Sequence, residues 1–362
     1  MIHNGLEGVV VAQTELSHVD GERGQLILRG HHVEQLAPEA TLEDVAHLLW
    51  TGRLPVPEEH ARVQARLYAG RARAFAVLPR VRAALETQDA MDALRGATAQ
   101  LSAHDSQDLA GLLCGAQAVF AAAHARLRAG LDPIAPAAER SQAADYLAML
   151  HGVTPDPARV RALDSYLVTV SDHGLNASTF AARVVTSTGS DDVSALVAGI
   201  GALKGPLHGG APGEVLDMLD EIDSADRAER WLAAAVARGE RIPGMGHRIY
   251  RVRDPRAAVL ESAIDRLSRA LGKNARLELA KVVEAAAVRV LDARYPERKL
   301  RANVEFNTAV ILEAIGVPRA LFTATFAIGR AVGWVGHIEE QRRTGRLIRP
   351  AAEYVGPWPK GS

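Results

Sequence analysis

Two histidines of this chain stand in loops suited to chemistry. His208 lies in GPLHGGAP, between Pro206 and Pro212, and His247 lies in PGMGHRIYRVRDPR, behind a glycine-rich turn. Glycines let the backbone take unusual angles and let a ligand approach closely. A histidine held there can donate or accept a proton at neutral pH. Four arginines follow His247 within nine residues: Arg248, Arg251, Arg253 and Arg256. They read either as a solvated helix start or as a cluster for phosphates and carboxylates. Arg330 falls inside LFTATFAIGRAVGWVGH, an otherwise apolar helix. A buried arginine is costly unless paired, so it must face an internal carboxylate or a polar cleft. Glu305, in NVEFNTAV, is a carboxylate at a helix start, where an ordinary first-turn acid also belongs.

Other patterns point away from chemistry. Most of the thirteen histidines, among them His47, His60, His124 and His337, have no special neighbours and read as surface or satisfied core residues. GIGALKG at 199–205 has the wrong spacing for a dinucleotide loop and follows a helix-like segment rather than a strand. The sequence holds no GxxxxGK[ST], GxSxG, HExxH or CxxC pattern. Its single cysteine, Cys114, lies in the apolar run LLCGAQAVF and reads as a small core residue.

The elements that must position these residues are helices. Apolar residues make up 48% of the 362-residue chain, yet aromatics only 4%, so the core is built from Ala, Leu and Val. Ala and Leu favour helix, and Arg and Glu fill exposed helical faces. Residues 9–28 hold two β-prone runs around Asp20-Gly21, which predicts a small hairpin. Thr41 followed by Leu42, Glu43 and Asp44 marks a capped helix start, and that helix ends at Gly52. Helical periodicity then covers 57–73, 78–87, 91–103, 106–128 and 137–150, and one long stretch over 159–189 that holds Asp172, His173 and Asn176. It returns at 191–203, 211–222, 224–238, 254–271, 274–293, 304–315 and 318–343. Strands are scarce, so the fold class is all-α.

Charge and terminus limit the partners. A formal net charge of −1 gives no large field of one sign, which excludes neither local clusters nor small anions but speaks against nucleic acid and membrane surfaces. No run reaches the roughly 20 apolar residues of a membrane span. MIHNGLEGVV lacks the basic flank and apolar run of a secretion signal, and one cysteine suits a reducing compartment. The expected location is the cytoplasm.

Taken together, these segments resemble the citrate synthase family in its short bacterial and archaeal form. The resemblance runs from about Gly5 to Pro350, through GLEGVVVAQTELSHVDGERGQLILRG, MDALRGATAQLSAHD, SDHGLNASTFAARVVTSTGSD, IGALKGPLHGGAPGEVLDML, GMGHRIYRVRDPRA, NVEFNTAVIL, GRAVGWVGHIEEQ and GRLIRP in the family's order. It implies an almost all-α, two-domain homodimer with a small N-terminal hairpin. The large domain would comprise 1–209 and 317–362, and the small domain 210–316. The implied reaction is condensation of acetyl-CoA with oxaloacetate and water to citrate and CoA, a step of the tricarboxylic acid cycle. The enzyme would be an acyltransferase that converts the acyl group to alkyl on transfer, with no metal or redox cofactor.

The resemblance also implies roles. His208 would bond the thioester carbonyl, Glu305 would take the α-proton, and His247 would polarise the ketone of oxaloacetate. His173, His247, Arg256 and Arg330 would hold oxaloacetate, together with Arg349 of the partner subunit. Arg251 and the backbone of Gly244, Met245 and Gly246 would hold CoA. Glu305 departs from the family's usual Asp by one methylene, Gly174 stands where many relatives have an acid, and His31-His32 replace a more usual tyrosine pattern. Rival implications are 2-methylcitrate synthase using propionyl-CoA, a non-catalytic CoA-binding relative, and a plain helical scaffold.

Overall fold

Short polar residues punctuate the chain and set where its helices begin. The computed structural model describes residues 4–6, 8–209, 212–246, 253–272 and 274–359. Asp20 opens the first turn, its Oδ1 accepting the N–H groups of Glu22 and Arg23 at 3.0 and 2.9 Å. That turn joins β1 (Ser17–Asp20) to β2 (Gln25–Leu28), with Ser17 opposite Leu28, and β3 (His31–His32) adds a short third antiparallel strand. The expected hairpin is therefore present, but its first strand starts at Ser17 rather than at the β-prone run from residue 9.

After α1 (Val33–Leu36), α2 (Leu42–Thr51) opens on the expected cap: the Thr41 hydroxyl accepts the Asp44 N–H, and the Asp44 carboxylate accepts the Thr41 N–H. There follow α3 (Pro57–Ala76), α4 (Leu78–Leu85), α5 (Ala90–Thr98), α6 (Leu109–Arg128), α7 (Gln142–His151), α8 (Pro157–Val170), α9 (Ala177–Ser187) and α10 (Asp192–Leu203). The rest are α11 (Pro212–Ile222), α12 (Ala228–Ala237), α13 (Pro255–Leu271), α14 (Ala275–Arg294), α15 (Val304–Ala314) and α16 (Phe322–Thr344). The fold is thus the expected all-α one. Among the described residues no helix is long and apolar enough to cross a membrane.

One expectation is corrected. The periodic stretch 159–189 is two helices, α8 and α9, separated by residues 171–176. Asp172 and His173 stay buried through the break, so the apolar rhythm continues although the helix does not. The helix stops because the Ser171 hydroxyl turns back to the Val168 carbonyl at 2.8 Å and Gly174 takes a φ of +59°, which favours glycine. Asn176 then restarts it by accepting the Ser178 and Thr179 N–H groups, both at 3.1 Å.

α16 is the axis of the packing. It is buried on nearly all sides and lies against α2, α6, α8, α9 and α10. Small residues let it come close: a Cβ on Gly333 would lie 2.1 Å from the Ser171 carbonyl oxygen, so only glycine lets the 171–172 backbone rest there. Cys114 is buried in α6, where desolvation pushes its thiol far up, in keeping with a core residue. α13 links α8 to α15, while α11 packs on α15 and α12 on α14.

Candidate active site

The first turn of α9 holds one side of the site. Ser178 Oγ lies 2.8 Å from His208 Nε2, and the Trp334 indole N–H donates to it at 3.2 Å. Oγ donates to Asn176 Oδ1 at 2.8 Å, an oxygen that also accepts two backbone N–H groups. With the hydroxyl proton there, His208 Nε2–H donates to Oγ and Nδ1 is the ring's acceptor; with the hydroxyl turned to Nε2, the ring proton sits on Nδ1.

Burial pushes His208 down to about 4, with the Arg330 charge adding to the effect, so the ring is neutral at pH 7. The sign of the linkage follows. The unfolded chain takes up a proton below its ordinary value of 6.5 that the folded chain refuses until about 4. His208 thus costs the fold stability as pH falls from 6.5 towards 4, and none above 6.5. His208→Asn is expected to flatten the fall of Tm across that window. An unchanged Tm-against-pH slope would contradict the assignment.

α16 forms the floor. Phe326, Arg330, Trp334 and His337 are spaced four, four and three apart, which is one stripe of a helix. The Phe326 ring meets the His208 ring edge-on at 6.4 Å, and the Arg330 guanidinium lies 4.8 Å from the Phe326 centroid. Arg330 is 1% exposed. Its Nε donates to the Val170 carbonyl at 2.6 Å, whereas its Nη1 is buried with no hydrogen-bond partner among the described residues. Burial pushes the group down to about 10, opposed by the charge of Asp172 and reinforced by that of Arg256. A buried guanidinium with a donor left over by the described residues can hold an anion.

The third wall comes from the starts of α13 and α15. Asp254 caps α13, and its carboxylate takes Nε and Nη2 of the buried Arg256 at 3.1 and 2.9 Å. Asn303 caps α15 by accepting the N–H groups of Glu305 and Phe306. The same Asn303 donates from Nδ2 to the Gly246 carbonyl at 2.8 Å, its own N–H donates to the Gly244 carbonyl at 2.9 Å, and Met245 bridges to Ala302. The segment 244–246 is thus stitched to the start of the helix that carries Glu305. Burial raises the Glu305 carboxyl above its ordinary 4.5, with Arg256 and Arg241 pulling it down and Glu214 pushing it up.

These contacts bring His208 and Arg330 together, and electrostatics couple Arg330 to Arg256 and Arg256 to Glu305. His173, 8% exposed, lies in the break between α8 and α9 that also precedes Ser178. His247 and Arg251 lie outside the described residues. Arg253 is exposed and paired with Glu261. Arg349 is exposed in the irregular segment after α16. Its neighbour Ile348 bonds Ser187, at the far end of α9 from Ser178 and about 14 Å along the helix. Among the described residues no hydrogen bond or ion pair joins Arg349 to the other site residues. Sequence reasoning missed Ser178, Trp334 and Phe326; the four-residue spacing about Arg330 and the Asn-x-Ser cap were the available signals.

The sequence and the fold recur in known proteins. The family described as "Citrate synthase, C-terminal domain" matches residues 5–351. Citrate synthase of Haloferax volcanii is 38% identical over 98% of this chain and 96% of its own. Citrate synthase 2 of Bacillus subtilis is 36% identical over 98% and 95%. The crystal structure of citrate synthase from Pyrobaculum aerophilum superposes with a TM-score of 0.89 at 34% identity, covering 98% of this chain and 93% of that one. The Thermoplasma acidophilum citrate synthase, solved as a ternary complex with carboxymethyl coenzyme A and oxaloacetate, gives 0.87 at 28% identity over 100% and 98%. With a match that spans nearly the whole chain in sequence and in fold, the chain belongs to the citrate synthase family.

Proposed function

We propose that this protein condenses acetyl-CoA with oxaloacetate and water to give citrate and CoA. The observation that carries the reading is the pairing of a neutral His208 with the buried Arg330, whose Nη1 has no hydrogen-bond partner among the described residues. A thioester α-proton is weakly acidic, so a carboxylate base needs an electrophile at the carbonyl oxygen. Glu305 takes the proton, and His208, with the Ser178 hydroxyl turned to its Nε2, presents Nδ1–H to the oxygen as charge moves onto it. The resulting carbon nucleophile attacks the ketone of oxaloacetate, and His247 supplies the proton for the new alkoxide. Water then cleaves the thioester and releases CoA. Arg330, Arg256 and His173 hold the oxaloacetate carboxylates, as guanidinium forks match carboxylate geometry. Gly244, Met245, Gly246 and Arg251 hold CoA. No step calls for a metal or redox cofactor.

The active unit is a homodimer. Leu347, Tyr354, Val355 and Trp358 are 58 to 88% exposed on the segment after α16, an apolar surface suited to a second copy. That copy delivers Arg349 of the partner subunit to the oxaloacetate site. Residues 210–316 close as a smaller domain over 1–209 and 317–362, excluding water from the enolised thioester.

The test is CoA release, followed with a thiol reagent, from oxaloacetate and either acetyl-CoA or propionyl-CoA. Release that requires oxaloacetate supports the reading, and a higher kcat/KM for acetyl-CoA supports citrate over 2-methylcitrate. One methylene is worth only about 1–3 kcal/mol of discrimination, so both substrates are expected to react. No release from folded protein with either thioester would leave a CoA-binding relative as the better account.

A further inference from the structure

His173 sits in a helix break, and its backbone is gripped from a distant part of the chain. The Ser17 hydroxyl, on β1, donates to the Asp172 carboxylate and accepts the Gly174 N–H at 2.8 Å. It therefore holds the residue before His173 and the residue after it. The other Asp172 oxygen lies 3.1 Å from His337 Nε2. His337 Nδ1 lies 3.0 Å from Nη1 of Arg183, which can only donate, so Nδ1 accepts and Nε2–H points at Asp172. Arg183 Nη1 also bonds Glu340 at 2.6 Å. Glu340 in turn accepts the N–H of Glu15 at 2.8 Å, two residues before Ser17. The bonds close into a ring through β1, the 171–174 break, α16 and α9.

Asp172, His337, Arg183 and Glu340 are each less than 5% exposed. Apolar side chains of like volume would stabilise such a place at least as well, so burial of four polar groups there calls for a purpose other than stability. The ring lies behind the one break in the α8–α9 stretch, and Asp172 also faces the charge of Arg330.

We infer that the ring is a positioning device for oxaloacetate, in which Ser17 and Asp172 fix His173 and Asp172 supplies the counter-charge of Arg330. The inference rests on the proposed roles of His173 and Arg330. It makes the N-terminal strand part of substrate recognition, although that strand need not touch the substrate.

The experiment compares wild type, Ser17→Ala and Ser17→Thr, with Val81→Ala, in the core of α4, as a destabilised control. Oxaloacetate affinity is read by calorimetry, and KM and kcat by CoA release. Ser17→Ala is expected to raise the oxaloacetate Kd and KM about tenfold, with kcat and the acyl-CoA KM within about threefold of wild type. Ser17→Thr, which keeps the hydroxyl, is expected to restore both, and Val81→Ala to lower Tm without moving either. If Ser17→Ala does not fold, Ser17→Cys, with its weaker donor, takes its place. A Ser17 variant with lowered Tm and wild-type oxaloacetate Kd would overturn the inference. Wild type that binds no oxaloacetate would overturn the substrate reading instead, and the inference with it.

Discussion

Glu305→Gln is expected to abolish condensation while leaving oxaloacetate binding intact. Glutamine keeps the size and the place at the start of α15 but cannot take a proton. Loss of a positioned general base costs about 10²- to 10⁴-fold in rate, and kcat should fall by that range. Oxaloacetate affinity, read by calorimetry, should stay within about threefold, because the arginines that hold the dicarboxylate are untouched. The environment of Glu305 suits a base: burial raises its carboxyl above the ordinary range, which strengthens proton abstraction, and Arg256 keeps it from rising without limit. The same shift makes the wild-type residue a burden on the fold. A carboxyl with a raised folded value contributes its stability below the unfolded 4.5 and loses it as pH rises through the folded value. Glu305→Gln should therefore have a higher Tm than wild type at pH 7, the mark of a site that trades stability for activity. Near wild-type turnover, or a Tm unchanged across pH 4 to 8, would contradict the assignment.

Arg330→Met is expected to remove oxaloacetate binding almost entirely. Methionine fills much of the volume beside Phe326 and keeps the apolar helix, so the loss is chiefly of charge and hydrogen bonds. Truncating one partner of a buried charge pair costs about 2–5 kcal/mol, or at least some thirtyfold in Kd. In the free protein burial outweighs the attraction of Asp172 and holds the Arg330 group down to about 10, so its charge burdens the fold and Tm without ligand should not fall. The oxaloacetate-induced rise in Tm should vanish. Arg330→Lys keeps a charge but should bind oxaloacetate more weakly than wild type, since an ammonium cannot reproduce the fork. Arg330→Met that binds oxaloacetate as wild type does would mean that the orphaned Nη1 faces something other than this substrate.

Part of the arrangement is legible in the sequence. A lone arginine in an apolar helix must find a counter-charge or a cleft, and Arg330 is opposed by the charge of Asp172. The glycine-rich loops about His208 and residues 244–246 stood out because helices do not tolerate such runs. What stayed hidden is instructive. The break after α8 was invisible to periodicity because its residues are as buried as a helix face, and its cause is a backward-turned serine and a left-handed glycine. Ser178 carries no local signal, since nothing near it says that a histidine thirty positions on will meet it. His337 was read as a satisfied core histidine, which it is, but its partners come from α9 and from the break carrying His173. Long-range polar pairing leaves no period in a sequence, and only the fold reveals it.

The proposed chemistry requires Arg330, Arg256, His208 and Glu305 to face a single cleft. A crystal structure of the protein with oxaloacetate and carboxymethyl-CoA, an unreactive thioether analogue of acetyl-CoA, measures it directly. The account predicts an oxaloacetate carboxylate within hydrogen-bond reach of Arg330 Nη1, and Glu305 within about 3.5 Å of the carboxymethyl group. Oxaloacetate bound away from Arg330, or Glu305 turned from the analogue with its position taken by another base, would contradict it.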